Sequence, residues 1–422
     1  MQGCASSFAP EHPLLMATAK TNIHQGYSQQ PLPLDQESNL LLYAQEMGRL
    51  EQLTGAFTQS QRHYQRAIEL YQQQWQRATL SATEIAQQTA AVIINDLAIS
   101  YGGNPFEQLM LHQYQGMNYL FQGNLEAAMV EARQVNQLQQ MQLQQYQGEH
   151  SVAALESGEI QKQLSQLSRN AGNHGSSLVN SYNYVFSALL HDISGNANAA
   201  YIDIKKAHQL SPNNPQLKSW LAELAQKAEL EMPQGFIGAP ASKGQGTLVL
   251  LGEQGWIQAK KAINIPFWID RKWYRLSMPS YGRSYPPAPL KLTLDSIPLS
   301  NNRVNQLDKL AITALKEQYI AIAARQIARI YAKVKVNESM EYEARGLELA
   351  VEIFNLISER ADLRSWLTLP QGTSLTRKHI SAGKHQLNIN GQLKQLEIKP
   401  GRTTIVWAIK VDNKLKIHSI II

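Results

Sequence analysis

Only a few residue groups in this chain have types and spacings that could do chemistry. The first is the thiol of Cys4, the sole cysteine among 422 residues. One cysteine excludes an intrachain disulfide, and no Cys/His spacing matches a structural zinc site. The second is "ERADLRSW", which places Glu359, Arg360, Asp362, Arg364 and Trp366 within eight positions. Alternating charges beside a Trp are compatible with a recognition or catalytic cluster. They are equally compatible with a buried ion-pair network in which Arg forks hold carboxylates bidentately and lock helix to sheet. The third is Arg325, Arg329 and Lys333, spaced every four residues and so expected on one helical face. Such a stripe is either a solvated face or a contact for an acidic partner, lipid headgroups or a glycan. His379 and His385 stand six apart with no matched carboxylate or cysteine in the sequence, so no metal is expected there.

No other motif names a reaction. "GFIGAPASKGQGT" lacks the GK[ST] ending of a phosphate-binding loop, and HExxH, GxSxG and a dinucleotide-type GxGxxG are missing. Cys4 as a nucleophile would need a rigid, electropositive pocket, which a flexible terminus does not supply. No catalytic residue, metal or cofactor is therefore expected.

Cys4 makes better sense as an attachment point. Gly3-Cys4 matches the last two positions of a bacterial lipobox, while Met1 and Gln2 occupy the first two. The charged and apolar regions of a signal peptide are missing, so Met1 reads as an internal methionine with the true start upstream. The stretch to Ser38 is small, polar and interrupted by proline, as expected of a tether. Ala5, rather than Asp, points to the outer membrane. The competing reading is a cytosolic protein with an incidental thiol.

Composition bounds the rest. Hydrophobic content of 43% and charged content of 17% are ordinary for a globular protein. The net charge of +6 is mild and does not indicate a nucleic-acid binder. No run approaches the roughly 18 apolar residues that a spanning helix needs.

The elements that position these groups fall into two halves, giving an α+β fold. Residues 1–38 form the lipobox-like Cys and tether, and residues 39–230 show helical apolar spacing. "GRLEQLTGAFTQSQRHYQRAIEL" puts Gly48, Gly55, Phe57, Ser60, Tyr64 and Ala67 in a small/aromatic frame. That frame returns in "GMNYLFQGNLEAAMVEARQV" and in "SGNANAAYIDIKKAHQLSP". The turn glycines Gly55, Gly123 and Gly195 lie about two 34-residue periods apart, which fits degenerate tetratricopeptide-like repeats better than a generic bundle. A capping-box pattern at Ser81 predicts a further helix start, Gly and Ser clusters over 145–177 predict a long loop, and Asn214-Pro215 predicts a closing helix. An array of this kind binds a protein or peptide on its concave face, with Tyr114 and Tyr119 as candidate contacts beside the alternative of plain packing.

Residues 231–246 read as a linker or covering strand. From 247 to 422 the period changes to that of strands, with a helical insertion at about 303–358 and a further helix over 343–358. "GEQG" at 252–255 reads as the turn between the first two strands, and "LKLTLDSIPL" as one strand. Asn390-Gly391 and Asp412-Asn413 mark hairpins. The alternation predicts an antiparallel β-sandwich-like domain, and the "AGKHQLNINGQ…EIKPGRTTIVWAI" run resembles β-sandwich modules of transthyretin or PEGA type.

The lipobox-like Cys, the degenerate repeats, "AARQIARIYAK" and "ERADLRSWLTLPQG" together resemble an uncharacterised family of Gram-negative bacterial tetratricopeptide-repeat lipoproteins. Genes of that family often lie near those for penicillin-binding-protein activator lipoproteins. The resemblance implies a non-enzymatic scaffold anchored by Cys4 to the periplasmic face of the outer membrane and linked to peptidoglycan synthesis. It supplies no catalytic residues, cofactor or oligomeric state. Two other functions stay open: an enzyme of the cell wall or its glycans using Glu359 and Asp362, and a cytoplasmic tetratricopeptide scaffold.

Overall fold

The computed structural model describes residues 39–84, 100–146, 158–172, 175–232, 234–269, 272–340 and 361–422. Cys4, Glu359, Arg360 and the helix expected over 343–358 lie outside them.

Helical hairpins form the first part. α1 (Leu40–Thr54) pairs with α2 (Phe57–Glu84), α3 (Pro105–Phe121) with α4 (Leu125–Tyr146), and α6 (Ser181–Ile193) with α7 (Ala197–Leu210). Between α4 and α6 lies α5 (Gly158–Ala171), and α8 (Pro215–Lys227) closes the row against α7. The turns of the second and third hairpins share one chemistry. Gly123 and Gly195 take positive φ (81° and 80°), and the Asn that follows each caps the next helix, Asn124 accepting from Ala127 N and Asn196 from Ala199 N. Close approach is built in by Gly48, which packs on the Tyr64 ring, and by Gly116, which packs on Phe186. Asn214 caps α8 at Gln216 N and Leu217 N, and Trp220 is buried beneath it.

Two expectations fail here. Ser81 is an interior residue of α2 rather than a helix start: the apolar stripe of α2 carries the helix past a good local cap. The expected loop over 145–177 contains α5, whose Ile160, Leu167 and Ala171 are buried. Sparse apolar residues at helical spacing outweigh the Ser content of that segment.

Among the described residues the second part contains three sheets. A five-stranded sheet has the order β11–β10–β1–β7–β6, from β1 (Gln245–Gln254), β6 (Asn302–Gln306), β7 (Gly372–Ser381), β10 (Thr403–Val411) and β11 (Lys414–Ile421). A four-stranded sheet has the order β5–β4–β8–β9, from β4 (Leu292–Leu294), β5 (Ile297–Leu299), β8 (Gly383–Ile389) and β9 (Gln392–Ile398). β2 (Lys261–Ile269) and β3 (Lys272–Ser280) pair only with each other. The long helix α9 (Leu307–Met340) packs on α5 and β3.

The larger sheet is mixed, because β1 and β10 run parallel from Thr247↔Thr403 to Gln254↔Lys410. An all-antiparallel domain is thus corrected: β10 is buried on both faces, as parallel strands commonly are. Gly252 and Glu253 belong to β1 rather than to a turn, and Asp295 and Ser296, both at positive φ, split "LKLTLDSIPL" into the β4–β5 hairpin. The hairpins at Asn390-Gly391 and Asp412-Asn413 form as expected.

Alternation along the central strands sends side chains into two cores. Leu248, Leu250, Val406 and Ala408 meet Leu292, Leu387, Ile389 and Ile398 of the four-stranded sheet. Val249, Leu251, Ile405, Trp407 and Ile409 point the other way, into one apolar cluster shared with α1, α3 and α6. The helices and the β-rich part are therefore packed as one body through the five-stranded sheet.

Candidate functional site

The inward face of the helical row is where a partner peptide was expected. It is filled by the chain's own residues. Segment 361–369 crosses α1 and α3 in irregular conformation, and carboxylates of those helices hold its backbone. Glu46 accepts from Leu367 N at 2.7 Å, Thr368 N at 3.2 Å and Thr368 Oγ1 at 2.6 Å. Glu107, fixed near the N-terminus of α3 by Asn104 N and Tyr101 Oη, accepts from Trp366 N at 3.1 Å. The Trp366 indole, fully buried, sits edge-on to Tyr64 and Tyr114 with ring centroids 5.9 Å from each. A carboxylate accepting backbone N–H groups in a dry groove is a strong, charge-assisted contact.

Arg364 holds Asp362 through Nε–Oδ1 at 2.9 Å and Nη2–Oδ2 at 2.7 Å, and also reaches Asn39 Oδ1. Burial pushes the Asp362 carboxyl up, but Arg364 outweighs it and holds the group below its ordinary range. Half-buried Lys260 donates to Arg364 O, and desolvation draws its ammonium down. Of the charged cluster read from the sequence, this pair and Trp366 are the described part; Glu359 and Arg360 lie outside the described residues.

One turn along α1, Arg49 forms a buried ion pair with Glu253 of β1. Its guanidinium stacks 4.2 Å from the Tyr114 ring centroid and 5.2 Å from that of Trp407. Tyr182 Oη donates to Glu253 at 3.0 Å and Tyr114 Oη at 3.3 Å. Burial, together with Glu253, keeps the Tyr182 phenol neutral well above its usual range. A second network joins α6, α8 and β7: Arg377 and His379 hold Glu223, and Trp220 Nε1 and Lys227 bind Asp192. Burial opposes ionisation of Glu223, but His379, Arg377 and Lys227 hold it far below the carboxylate range.

The predicted site residues fare differently. Tyr114 is fully buried between Arg49 and Trp366, which is the packing alternative of the two given for it. Tyr119 is half-buried and packs on the same core. Arg325 is exposed while Arg329 is buried, because α9 is covered on more than one side; the basic stripe does not present a single open face. Lys333 lies in α9, and its side chain is outside the described ones. His379 and His385 each have a carboxylate after all, Glu223 at 2.9 Å and Asp295 at 2.6 Å, supplied from distant positions that spacing does not reveal. Among the described residues no group of three or more His, Cys, Asp or Glu converges as a metal site, and no helix is long and apolar enough to cross a membrane.

Sequence reasoning missed Glu46, Arg49, Glu107 and Glu253. Their one signal was charge at positions where the helical and strand patterns require burial. A shallow surface depression of about 500 Å³ is lined by Ser194, Gly195, Asn196 and Lys227. It does not include the buried carboxylates described above. No family model matches the chain, and no curated protein or solved structure does either.

Proposed function

We propose that the chain is a scaffold of the bacterial cell envelope, anchored to the periplasmic face of the outer membrane through acylated Cys4 and working beside peptidoglycan synthesis. The helices are read as degenerate tetratricopeptide-like repeats, the paired sheets as a β-sandwich-like module, and no cofactor enters. One observation carries the scaffold reading. The inward helices are committed to segment 361–369 and the sheet, while the outward helices expose apolar side chains: Trp75 on α2, Val130 and Met141 on α4, and Ile202 on α7. Apolar side chains recurring across consecutive outward helices favour a protein partner on that outer face.

The enzyme alternative rested on Glu359 and Asp362. Asp362 is bound bidentately by Arg364, which leaves that reading without its best described carboxylate. Glu359 lies outside the described residues.

Photo-crosslinker placed at Ile202 in intact envelopes is expected to trap a discrete protein that a crosslinker at buried Leu189 does not. Equal, diffuse labelling from both positions would overturn the scaffold. Metabolic palmitate labelling of the protein in its native genetic context tests the anchor separately. Label is expected, and is expected to vanish in Cys4→Ser; an unlabelled protein would favour the cytoplasmic scaffold.

A further inference from the structure

The β2–β3 ribbon belongs to neither larger sheet, and its two faces differ sharply. Its register pairs Trp268 with Trp273, Phe267 with Tyr274, Pro266 with Arg275 and Ile265 with Leu276. Ile265, Leu276 and Met278 are buried on the inner face. Period-two alternation places Pro266, Trp268, Trp273 and Arg275 together on the outer one, and all four are exposed.

Trp268 and Trp273 are 52% and 69% exposed, with ring centroids 4.9 Å apart and planes at 62°. Of the other tryptophans, Trp220, Trp366 and Trp407 are fully buried and Trp75 on α2 is exposed. The base of the ribbon is held firmly. Gln326 of α9 donates to Ser277 O at 2.8 Å, and Ala361 N donates to Ser277 Oγ at 3.1 Å. Two large amphipathic rings are thus displayed to solvent at the end of a fixed ribbon.

The sequence of the ribbon is net positive. The stretch "KAINIPFWIDRKWYRLSMPS" carries Lys261, Arg271, Lys272 and Arg275 against a single acid, Asp270. Indole rings with an apolar body and a polar edge favour the headgroup level of a bilayer, and flanking cations are drawn to anionic lipid. A stable protein interface needs about 800 Å² on each partner, whereas this face is two strands wide.

We propose that the β2–β3 ribbon docks on an anionic phospholipid bilayer, seating Trp268 and Trp273 among the headgroups with Arg275 against lipid phosphate. This contact stands whether or not Cys4 is acylated. Where both operate, the protein has two weak attachments whose effects multiply.

The test uses the full chain carrying Cys4→Ser, so that no acyl chain contributes. Co-sedimentation is measured with vesicles of phosphatidylethanolamine and phosphatidylglycerol, and with vesicles of phosphatidylcholine. Binding to the anionic vesicles is expected, weakening with salt, with little binding to phosphatidylcholine. Trp268→Ala and Trp273→Ala should each weaken it about tenfold, and Arg275→Gln about fivefold. All three side chains are exposed, so melting temperatures should stay at the parent value. Bromine-labelled lipid should quench the parent's tryptophan fluorescence and leave that of Trp268→Ala/Trp273→Ala largely unquenched. The proposal is overturned if the chain does not bind anionic vesicles at low salt, if it binds neutral vesicles equally well, or if the double variant binds like the parent. A single protein crosslinked from position 273 in intact envelopes, without vesicle binding, would assign the ribbon to a protein partner instead and equally overturn it. Palmitate labelling reports on Cys4 alone, so the two attachments are judged separately.

Discussion

Arg49 on α1 and Glu253 on β1 face each other across the boundary between helices and sheet, with side chains 1% and 0% exposed. Neither charge has water to fall back on. Tyr114 and Tyr182 donate to the carboxylate, and the guanidinium lies over Tyr114 and Trp407. A pair of this kind contributes less to net stability than its geometry implies, since both ions were desolvated to make it. Its larger effect appears when it is broken, because the partner left behind is a buried, unpaired charge.

Removing one partner strands the other. Arg49→Met is expected to destabilise the protein by about 3–5 kcal/mol, and Glu253→Gln by a similar amount. Arg49→Met/Glu253→Gln should be well short of the sum, because no buried charge remains. Urea unfolding of the four proteins gives the coupling directly, and strict additivity would rule out a pair that acts as a unit.

Gly48 offers a second measurement. A methyl group there would overlap the Tyr64 ring, which is itself wedged against Trp366. Gly48→Ala should therefore cost about 1–3 kcal/mol in spite of alanine's better helix propensity. A melting temperature at or above that of the parent would show that α1 and α2 have room to spread.

Where the sequence was legible, the information was local. The Gly-Asn turns, the Asn214 cap and the Asn390-Gly391 hairpin are each specified within a few residues, and each forms as its chemistry demands. What could not be read is non-local. Nothing near Glu46 reveals that it will hold the backbone of Leu367, and nothing near His379 reveals Glu223. Tyr114 sits in a repeat frame where a groove contact and a core residue have the same spacing; only the segment that arrives from the far end of the chain decides between them. The same holds for Arg329, whose burial depends on what covers α9.

His418 on β11 makes a pH prediction. Its imidazole lies against Phe57, Phe121 and Trp407, with centroids 5.2, 6.2 and 5.8 Å away. Burial, reinforced by Arg49, pushes it down to about 4. Between that value and the unfolded value near 6.5 the unfolded chain binds the extra proton, so stability is present above pH 6.5 and is lost as pH falls toward 4. The loss should be on the order of 2 kcal/mol between pH 7 and pH 4. His418→Phe should flatten this part of the stability–pH curve, measured by urea unfolding at a series of pH values. An unchanged slope would place the titration elsewhere.

The segment held by Glu46 and Glu107 gives the most informative variant. Trp366 fills the space between Tyr64 and Tyr114, so Trp366→Ala should cost about 3–5 kcal/mol through the cavity it leaves. The backbone contacts do not depend on the indole, because Glu46 and Glu107 take the N–H groups of residues 366–368 whatever their side chains. Glu46→Gln acts in the opposite way: it keeps the wedge, weakens a charge-assisted acceptor and should cost about 1–3 kcal/mol. If the segment is a strap gripped at two kinds of contact, limited proteolysis near residue 361 should accelerate in both variants. In Trp366→Ala, a synthetic peptide spanning 361–371 should speed that cleavage further, because it takes the groove and keeps the weakened strap out of it. Global unfolding of the variant, with cleavage spread over the whole chain and unchanged by peptide, would instead mean that the inward groove has no existence apart from the strap that fills it.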